Sequence, residues 1–272
     1  MPELPEVETV KRQLNEVLAG KKIVAIELYK TGREEPFGQA FVDQVVGKKI
    51  DQIDRRAKLL VWRFEDGDSM LAHLKMTGRF LLLPKDAVPN KHDRMKFLFE
   101  DVNDVCVIWQ DIRTFGYVKL VDQTGLEKVL SIYGPEPLEA STKELAERFQ
   151  KKSKRKIKAA LLDQSVIAGV GNIYADEVCF ASGIHPSRLL NSLSDTDKTN
   201  IAKEIKRILK ASLDNKGTTI VNYTNSTGGK GEFVNFLKVY GKEGEKCNIC
   251  GSLIEKTVTA GRGTHFCPIC QT

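Results

Sequence analysis

The sequence predicts an α+β chain made of a β domain led by one helix, a helical domain, and a small metal-binding module. Three observations carry that prediction. Apolar runs of strand length recur from residue 21 to about residue 121, helical periodicity takes over after the proline-punctuated segment YGPEPLEAS, and the last 26 residues hold four of the six cysteines. A chain of 272 residues, 41% of them hydrophobic, is long enough to bury a core, which excludes wholesale disorder. Subtracting 36 acidic from 42 basic side chains leaves +6, so a polyanion such as nucleic acid is the first partner to test. No run of about 18 apolar residues is present to span a bilayer, and the opening MPELPEVETVKRQL lacks the basic-then-apolar order of a secretory signal. A cytoplasmic protein without a membrane partner is expected.

In chain order, EVETVKRQLNEVLAG sets Val7, Val10, Leu14, Val17 and Leu18 at helical spacing, with Gly20 as a natural stop. From Lys21 the runs KKIVAIEL, KLLVWRF, SMLAHLKM, RFLLL, MKFLF and VCVIW alternate with turn clusters such as EDGDS and DVND, which predicts a mostly antiparallel sandwich or barrel. After Pro135 and Pro137 the segments STKELAERFQ, IKAALLDQ, IYADEVCFASG and TNIAKEIKRILKASL read as helices. A glycine-rich stretch follows from about Asn215, and then the cysteine-bearing tail. Cys106 and Cys179 read as small buried hydrophobes.

Cys247 and Cys250 form one CxxC pair and Cys267 and Cys270 another, with sixteen residues between the pairs. That is the spacing of a four-thiolate zinc ribbon, and four thiolates leave no open coordination position, so the metal is expected to be structural. The intervening IEKTVTAGRGTHFC reads as a β-hairpin with Gly261, Arg262 and Gly263 as its turn, which would present Arg262 at the tip to fork onto a phosphate.

The run KKSKRKIK, residues 151–158, carries six basic residues in eight and predicts a phosphate-attracting face. In GVGNIYADE, Gly169 and Gly171 break one helix and Asn172 is placed as the N-cap of the next, where free backbone N–H groups can hold a phosphate. The Rossmann fingerprint fails because Gly169-x-Gly171 lacks the third glycine and follows a helix. STGGKGEF lacks a P-loop ending and reads as a loop, a candidate lid.

Residue 2 is proline, small enough to let the initiator methionine be removed, which would expose a secondary amine. An α-amino group has a pKa near 8, so a useful fraction is neutral and nucleophilic at pH 7. A secondary amine attacking an aldehyde carbon such as C1′ of a ribose gives a cationic iminium, an electron sink that acidifies the C2′ proton and permits loss of the 3′ phosphate. Glu3 and Glu6, beside that amine at the mouth of a helix, could carry the protons.

Taken together, MPELPEVETV, GNIYADE and AGRGTHFC with its two CxxC pairs resemble the bacterial formamidopyrimidine-DNA glycosylases, over the whole chain. The resemblance implies a bifunctional base-excision repair enzyme that removes oxidised purines such as 8-oxoguanine and then nicks the abasic strand by β,δ-elimination. It implies an N-terminal β-sandwich with an N-terminal helix over residues 1–134, a helix-two-turn-helix domain over 135–240 and a zinc-finger hairpin over 241–272. Pro2 matches the Schiff-base nucleophile, Glu3 the proton donor and acceptor at the sugar, Lys58 the lysine of β-elimination, and Arg262 the phosphate-binding arginine linked to δ-elimination. Met76, Arg113 and Phe115 match the trio that fills the space left by the extruded base, replacing lost stacking and hydrogen-bonding the orphaned partner. His92, Lys154 and Asn172 match family DNA or phosphate contacts, and His73 a position near the site.

The resemblance further implies one structural zinc ion held by Cys247, Cys250, Cys267 and Cys270, no organic cofactor, damaged double-stranded DNA as partner, and a monomer in the bacterial cytoplasm. Departures at Val221 and around Lys75 bear on lesion preference and DNA grip, as does the loop 222–232, whose family counterpart covers the extruded base. The competing readings are an endonuclease VIII-like enzyme for oxidised pyrimidines, a non-catalytic binder of damaged DNA, and a zinc-ribbon RNA-binding protein. The start PELPEVE favours the first-named family over the endonuclease VIII type.

Overall fold

The computed structural model describes residues 1–29, 38–149, 154–220 and 223–272. Lys151, Lys152 and Ser153 of the basic run, together with Val221 and Asn222, lie outside the described residues. The chain divides into two compact units. One comprises Met1–Ser131 and Asn215–Glu232, the other Ile132–Asp214 and Phe233–Thr272.

The first unit opens with helix α1 (Leu4–Leu18), whose Val7, Val10, Leu14 and Leu18 are all fully buried, as their spacing requires. Val17 is only partly buried. Two four-stranded antiparallel sheets follow. One orders β1 (Ile23–Leu28), β6 (Asp93–Phe99), β7 (Val105–Asp111) and β5 (Gly78–Pro84), and the other β2 (Ile50–Arg56), β3 (Leu59–Phe64), β4 (Ser69–His73) and β8 (Tyr117–Val121). The sheets share one core. Trp62 of β3 meets Phe80 of β5 at 5.3 Å between ring centroids and Phe97 of β6 at 5.9 Å, and Phe80 meets Trp109 of β7 at 4.7 Å. A buried aromatic of this kind is worth roughly 3–5 kcal/mol against truncation. The Trp62 contacts cross between the layers and make the domain a sandwich.

Helix α1 lies on β2, where Asn15 Oδ1 accepts the Ile53 N–H at 2.7 Å. That covering explains why β3 reads LLVWRF as an almost unbroken apolar run instead of an alternating one. Two short helices, α2 (Gln39–Val45) and α3 (Gln123–Leu130), stand within or beside the stretch expected to be β-rich. Each buries too little to leave a periodic signal, Val42 and Val45 in α2 and Leu126 in α3.

The second unit contains α4 (Thr142–Glu147), α5 (Ile157–Leu162), α6 (Asn172–Ala181), α7 (Asp195–Asp214) and a terminal hairpin of β9 (Glu255–Thr259) and β10 (Arg262–Phe266). Helix α7 packs against α4 and α6, and the Tyr174 and Ser212 hydroxyls meet at 2.6 Å between α6 and α7. Gln164 shapes the α5–α6 connection: its Nε2 donates to Leu162 O and Val170 O, and its Oε1 accepts from Gly169 N–H. The N-cap of α6 is Gly171, and Asn172 is its first helical residue, one position inside the expected cap. Among the described residues no helix is long and apolar enough to cross a membrane.

Candidate active site

Pro2 and Glu3 are buried at the head of α1, while Met1 is half exposed. The Glu6 carboxylate organises this end. Its Oε2 accepts the Glu3 N–H at 2.8 Å and its Oε1 accepts the Thr218 N–H at 2.7 Å, so the helix start and the 215–232 segment share one buried carboxyl group. That approach needs a residue without a side chain. A Cβ on Gly217, whose φ is +85°, would lie 2.7 Å from Glu6 Oε1, and one on Gly231 would lie 2.3 Å from Gly217 O. The glycine-bearing stretch expected to be a loop is hydrogen-bonded along its course. Asn225 Oδ1 accepts from Gly229 N–H, Ser226 N–H donates to Gln13 Oε1, and Leu82 N–H donates to Ser226 O.

Lys58 is buried in the two-residue turn between β2 and β3, next to Ala57 with φ +55°. A left-handed alanine stores strain. The Arg55 guanidinium counters it by donating to Ala57 O at 2.9 Å while its Nε donates to Glu8 Oε2 of α1 at 2.9 Å. Burial would raise the Glu8 pKa, but the Arg55 charge and hydrogen bond more than offset it and hold the carboxylate ionised. One ion pair thus ties the helix that carries Pro2 and Glu3 to the turn that carries Lys58.

Across the sheet, Leu59 pairs with His73 and His73 with Tyr117. His73 Nδ1 accepts the Lys75 N–H at 3.0 Å, and the Lys75 ammonium lies over the Tyr117 ring. Burial first, then the charges of Lys75 and Lys58, push the His73 pKa down to about 4. The imidazole is therefore neutral at pH 7. Because the unfolded chain binds this proton near pH 6.5 and the folded one only near 4, stability is fully present above 6.5 and is lost as pH falls through 4. In His73→Gln the loss over that window should be smaller by at most about 3 kcal/mol, less what water reaching the partly exposed ring removes, as urea unfolding at stepped pH would read.

The structure brings Met76, Arg113 and Phe115 together. Arg113 Nη1 lies 2.9 Å from Met76 Sδ, its guanidinium stacks 4.9 Å over the Phe115 ring, and Met76 and Phe115 are 41% and 53% exposed. Left-handed residues flank the trio, Lys75 (φ +48°) before Met76 and Thr114 (φ +58°) between Arg113 and Phe115. The residue that sequence reasoning missed is Asp111, 2% exposed, whose carboxylate accepts from Thr77 Oγ1, Arg113 N–H and Gly116 N–H and so fixes both loops that carry the trio. An acid closing the apolar strand VCVIWQD was the available signal. Asp111→Ala should cost about 2–3 kcal/mol in urea unfolding, because several buried donors lose their acceptor together. An unfolding midpoint equal to the parent's would refute that role.

His92 is half-buried just before β6, where its carbonyl accepts the Asp111 N–H. In the second unit, Lys154, Arg155 and Lys156 are exposed, but Lys158 is fully buried and belongs to no surface patch. This corrects the reading of residues 151–158 as one basic face. Asn172 Nδ2 donates to Gly263 O at 3.0 Å, which turns its amide toward the hairpin. Arg262 is exposed, yet it is not at the centre of the turn. The turn residues are Ala260 (φ +54°) and Gly261 (φ +69°), and Arg262 is the first residue of β10, paired with Thr259.

The four sulfurs of Cys247, Cys250, Cys267 and Cys270 lie within 4.8 Å of one another, with Cys247 and Cys270 at 3.9 Å and Cys250 and Cys267 at 3.5 Å. Zinc–sulfur bonds of about 2.3 Å arranged tetrahedrally separate the sulfurs by about 3.8 Å, so the set fits one zinc ion. Backbone N–H groups of Ile249 and Cys270 point at Cys247 Sγ and Cys267 Sγ, the donors that thiolates in such a site require.

Three family models match the chain: the formamidopyrimidine-DNA glycosylase N-terminal domain over residues 1–118, the formamidopyrimidine-DNA glycosylase H2TH domain over 133–224, and a zinc finger found in FPG and IleRS over 244–272. The zinc of this chain is accordingly a structural ion on four cysteines. Formamidopyrimidine-DNA glycosylases of Listeria innocua and Herpetosiphon aurantiacus are 43% and 39% identical, each over 100% of both chains. A solved complex of Lactococcus lactis Fpg with DNA containing an abasic site aligns at a TM-score of 0.89 and 38% identity over 99% of both chains. A complex of a point mutant of the same protein with Fapy-dG-containing DNA aligns equally well, at a TM-score of 0.89 and 38% identity over 99% of both chains. With identity of this level along its whole length and the same domain models in the same order, the chain belongs to the formamidopyrimidine-DNA glycosylase family.

Proposed function

We propose that this chain excises oxidised purines, 8-oxoguanine and formamidopyrimidines among them, from duplex DNA and cleaves the resulting abasic strand by β,δ-elimination through an imine at Pro2. The observation that carries the reading is the buried pair Pro2–Glu3 at the head of α1, locked by Glu6 to the Thr218 segment. The L. lactis relative is seen bound to DNA with an abasic site, and a point mutant of it to Fapy-dG-containing DNA, which supports the same substrates here.

In this mechanism Met1 is removed and the Pro2 nitrogen donates its lone pair to C1′ as the bond from C1′ to the base breaks, the base leaving with the electrons of the broken bond and with the proton that the amine gives up. Glu3 protonates the ring oxygen, and the open sugar is held as an iminium. Loss of the C2′ proton sends electrons into the iminium and the C3′–O bond breaks to release the 3′ phosphate. A second deprotonation expels the 5′ phosphate, and water then hydrolyses the imine to free the amine. Lys58 serves the first elimination, and Arg262 steadies the phosphate of the second.

Residues 1–134 carry this chemistry and the Met76, Arg113 and Phe115 wedge. Residues 135–240 hold the backbone through Lys154 and Asn172, and 241–272 through Arg262, while His92 adds a contact from the first part. The enzyme acts as a monomer in the bacterial cytoplasm. The test is borohydride trapping on duplexes containing 8-oxoguanine opposite cytosine, thymine glycol, or a plain abasic site. Trapping on the first and third supports the reading. Preference for thymine glycol would move the chain to the endonuclease VIII type, and no trapping on any would leave a binding protein.

A further inference from the structure

We propose that the buried Lys158–Asp176 ion pair, acting through the Thr264 hydroxyl, is a positioning device that fixes the backbone of Arg262 at the hairpin turn. The inference rests on the reading of Arg262 as the phosphate contact of the second elimination. Lys158 on α5 and Asp176 on α6 have fully buried side chains, with Nζ 2.6 Å from Oδ1. A lysine is almost never fully buried unless it is paired. Here the ammonium also donates to Thr264 Oγ1 at 2.7 Å and to Gly263 O at 3.0 Å.

Each of these bonds lands on β10. Because Thr264 Oγ1 accepts from the ammonium, its own proton is left for Arg262 O, 2.9 Å away. Gly263 O receives a second donor, Asn172 Nδ2, and Asp176 Oδ2 accepts the His265 N–H at 2.9 Å. Asn172 and Asp176 stand four residues apart on α6 and so share a face. Three consecutive residues, 263–265, are thereby held from α5 and α6, and Arg262 through the Thr264 hydroxyl, independently of their ladder to β9. An isolated two-stranded ribbon is marginal in water and free to twist, whereas a guanidinium fork that reads a phosphate must be placed to about half an ångström. The clamp supplies what the ribbon lacks.

The experiment uses the full-length, zinc-loaded protein on an abasic duplex and reads, within each reaction, the ratio of the 3′-phosphate product of δ-elimination to the 3′-unsaturated aldehyde of β-elimination. Overall losses of binding cancel in that ratio. Thr264→Val keeps the shape, removes one acceptor of the ammonium but leaves it paired with Asp176 and bonded to Gly263 O, and it should lower the ratio about fivefold, equivalent to ~1 kcal/mol, with zinc content unchanged. Thr264→Ser should restore it, and Asp176→Asn should lower it in the same direction. Arg262→Ala is the reference. If Arg262→Ala lowers the ratio and Thr264→Val does not, the positioning role is overturned. If Arg262→Ala leaves the ratio unchanged, the reading of Arg262 itself fails. A shift in Thr264→Val that comes with loss of zinc would also overturn the proposal, since the hairpin's integrity would then account for it.

Discussion

A chain that keeps a residue ahead of Pro2, or whose Pro2 nitrogen is acetylated, will form no borohydride-trappable complex with an abasic duplex. The trapping yield should fall by a factor on the order of 10³ or more, the scale on which loss of a covalent nucleophile shows. The reason is electronic. An amide nitrogen has delocalised its lone pair and cannot add to C1′, whereas a free α-amine with a pKa near 8 can. The extension leaves the fold at the helix head undisturbed. With Met1 in place, Pro2 and Glu3 remain buried, Met1 itself is half exposed, and the bond from Glu3 N–H to Glu6 stands at 2.8 Å.

Duplex binding should therefore survive the same modification. Affinity for an uncleavable abasic analogue is expected to stay within about threefold of the processed enzyme, because phosphate contacts set most of it. Unchanged trapping would assign the imine to another amine, with Lys58 the first candidate, and peptide mapping of the reduced adduct would identify it.

How much of this was legible in the sequence depends on the distance over which each feature is decided. Helix α1 was readable because Val7, Val10, Leu14 and Leu18 repeat within one element, and the zinc set because its chemistry demands two close cysteine pairs. Arg262 stands one position beyond the turn in which its flanking glycines would place it, because the left-handed turn uses Ala260, a residue that carries no turn signal. Lys158 looked like surface because it stands in a basic run, and only Asp176 on α6 and Thr264, 106 residues away, make it interior. Asp111 is similar. Its partner Thr77 lies 34 residues earlier, and no local pattern announces the pairing.

Removing the zinc with a strong chelator should release the terminal hairpin while the β-sandwich stays folded. The module's own core consists of Phe180, Val239, Cys247, Ile254 and Cys267, with Cys270 against it, so two of its five buried residues are metal ligands. Too little apolar surface remains to hold the fold without the ion, whose binding free energy in zinc-finger peptides, about 10–16 kcal/mol, is folding free energy. The sandwich core draws on none of these residues. Affinity for an abasic-analogue duplex should fall at least about tenfold, the loss of one charge-assisted phosphate contact of roughly 1.5–3 kcal/mol, as Arg262 leaves with the hairpin. Retained affinity after verified metal loss would place the phosphate grip elsewhere. The Lys158–Asp176 pair sharpens the expectation, because a buried ion pair stripped of the strand that covers it must hydrate, and amide hydrogen exchange should then rise at Gly263–His265 and along α6 before it rises in β3 or β7.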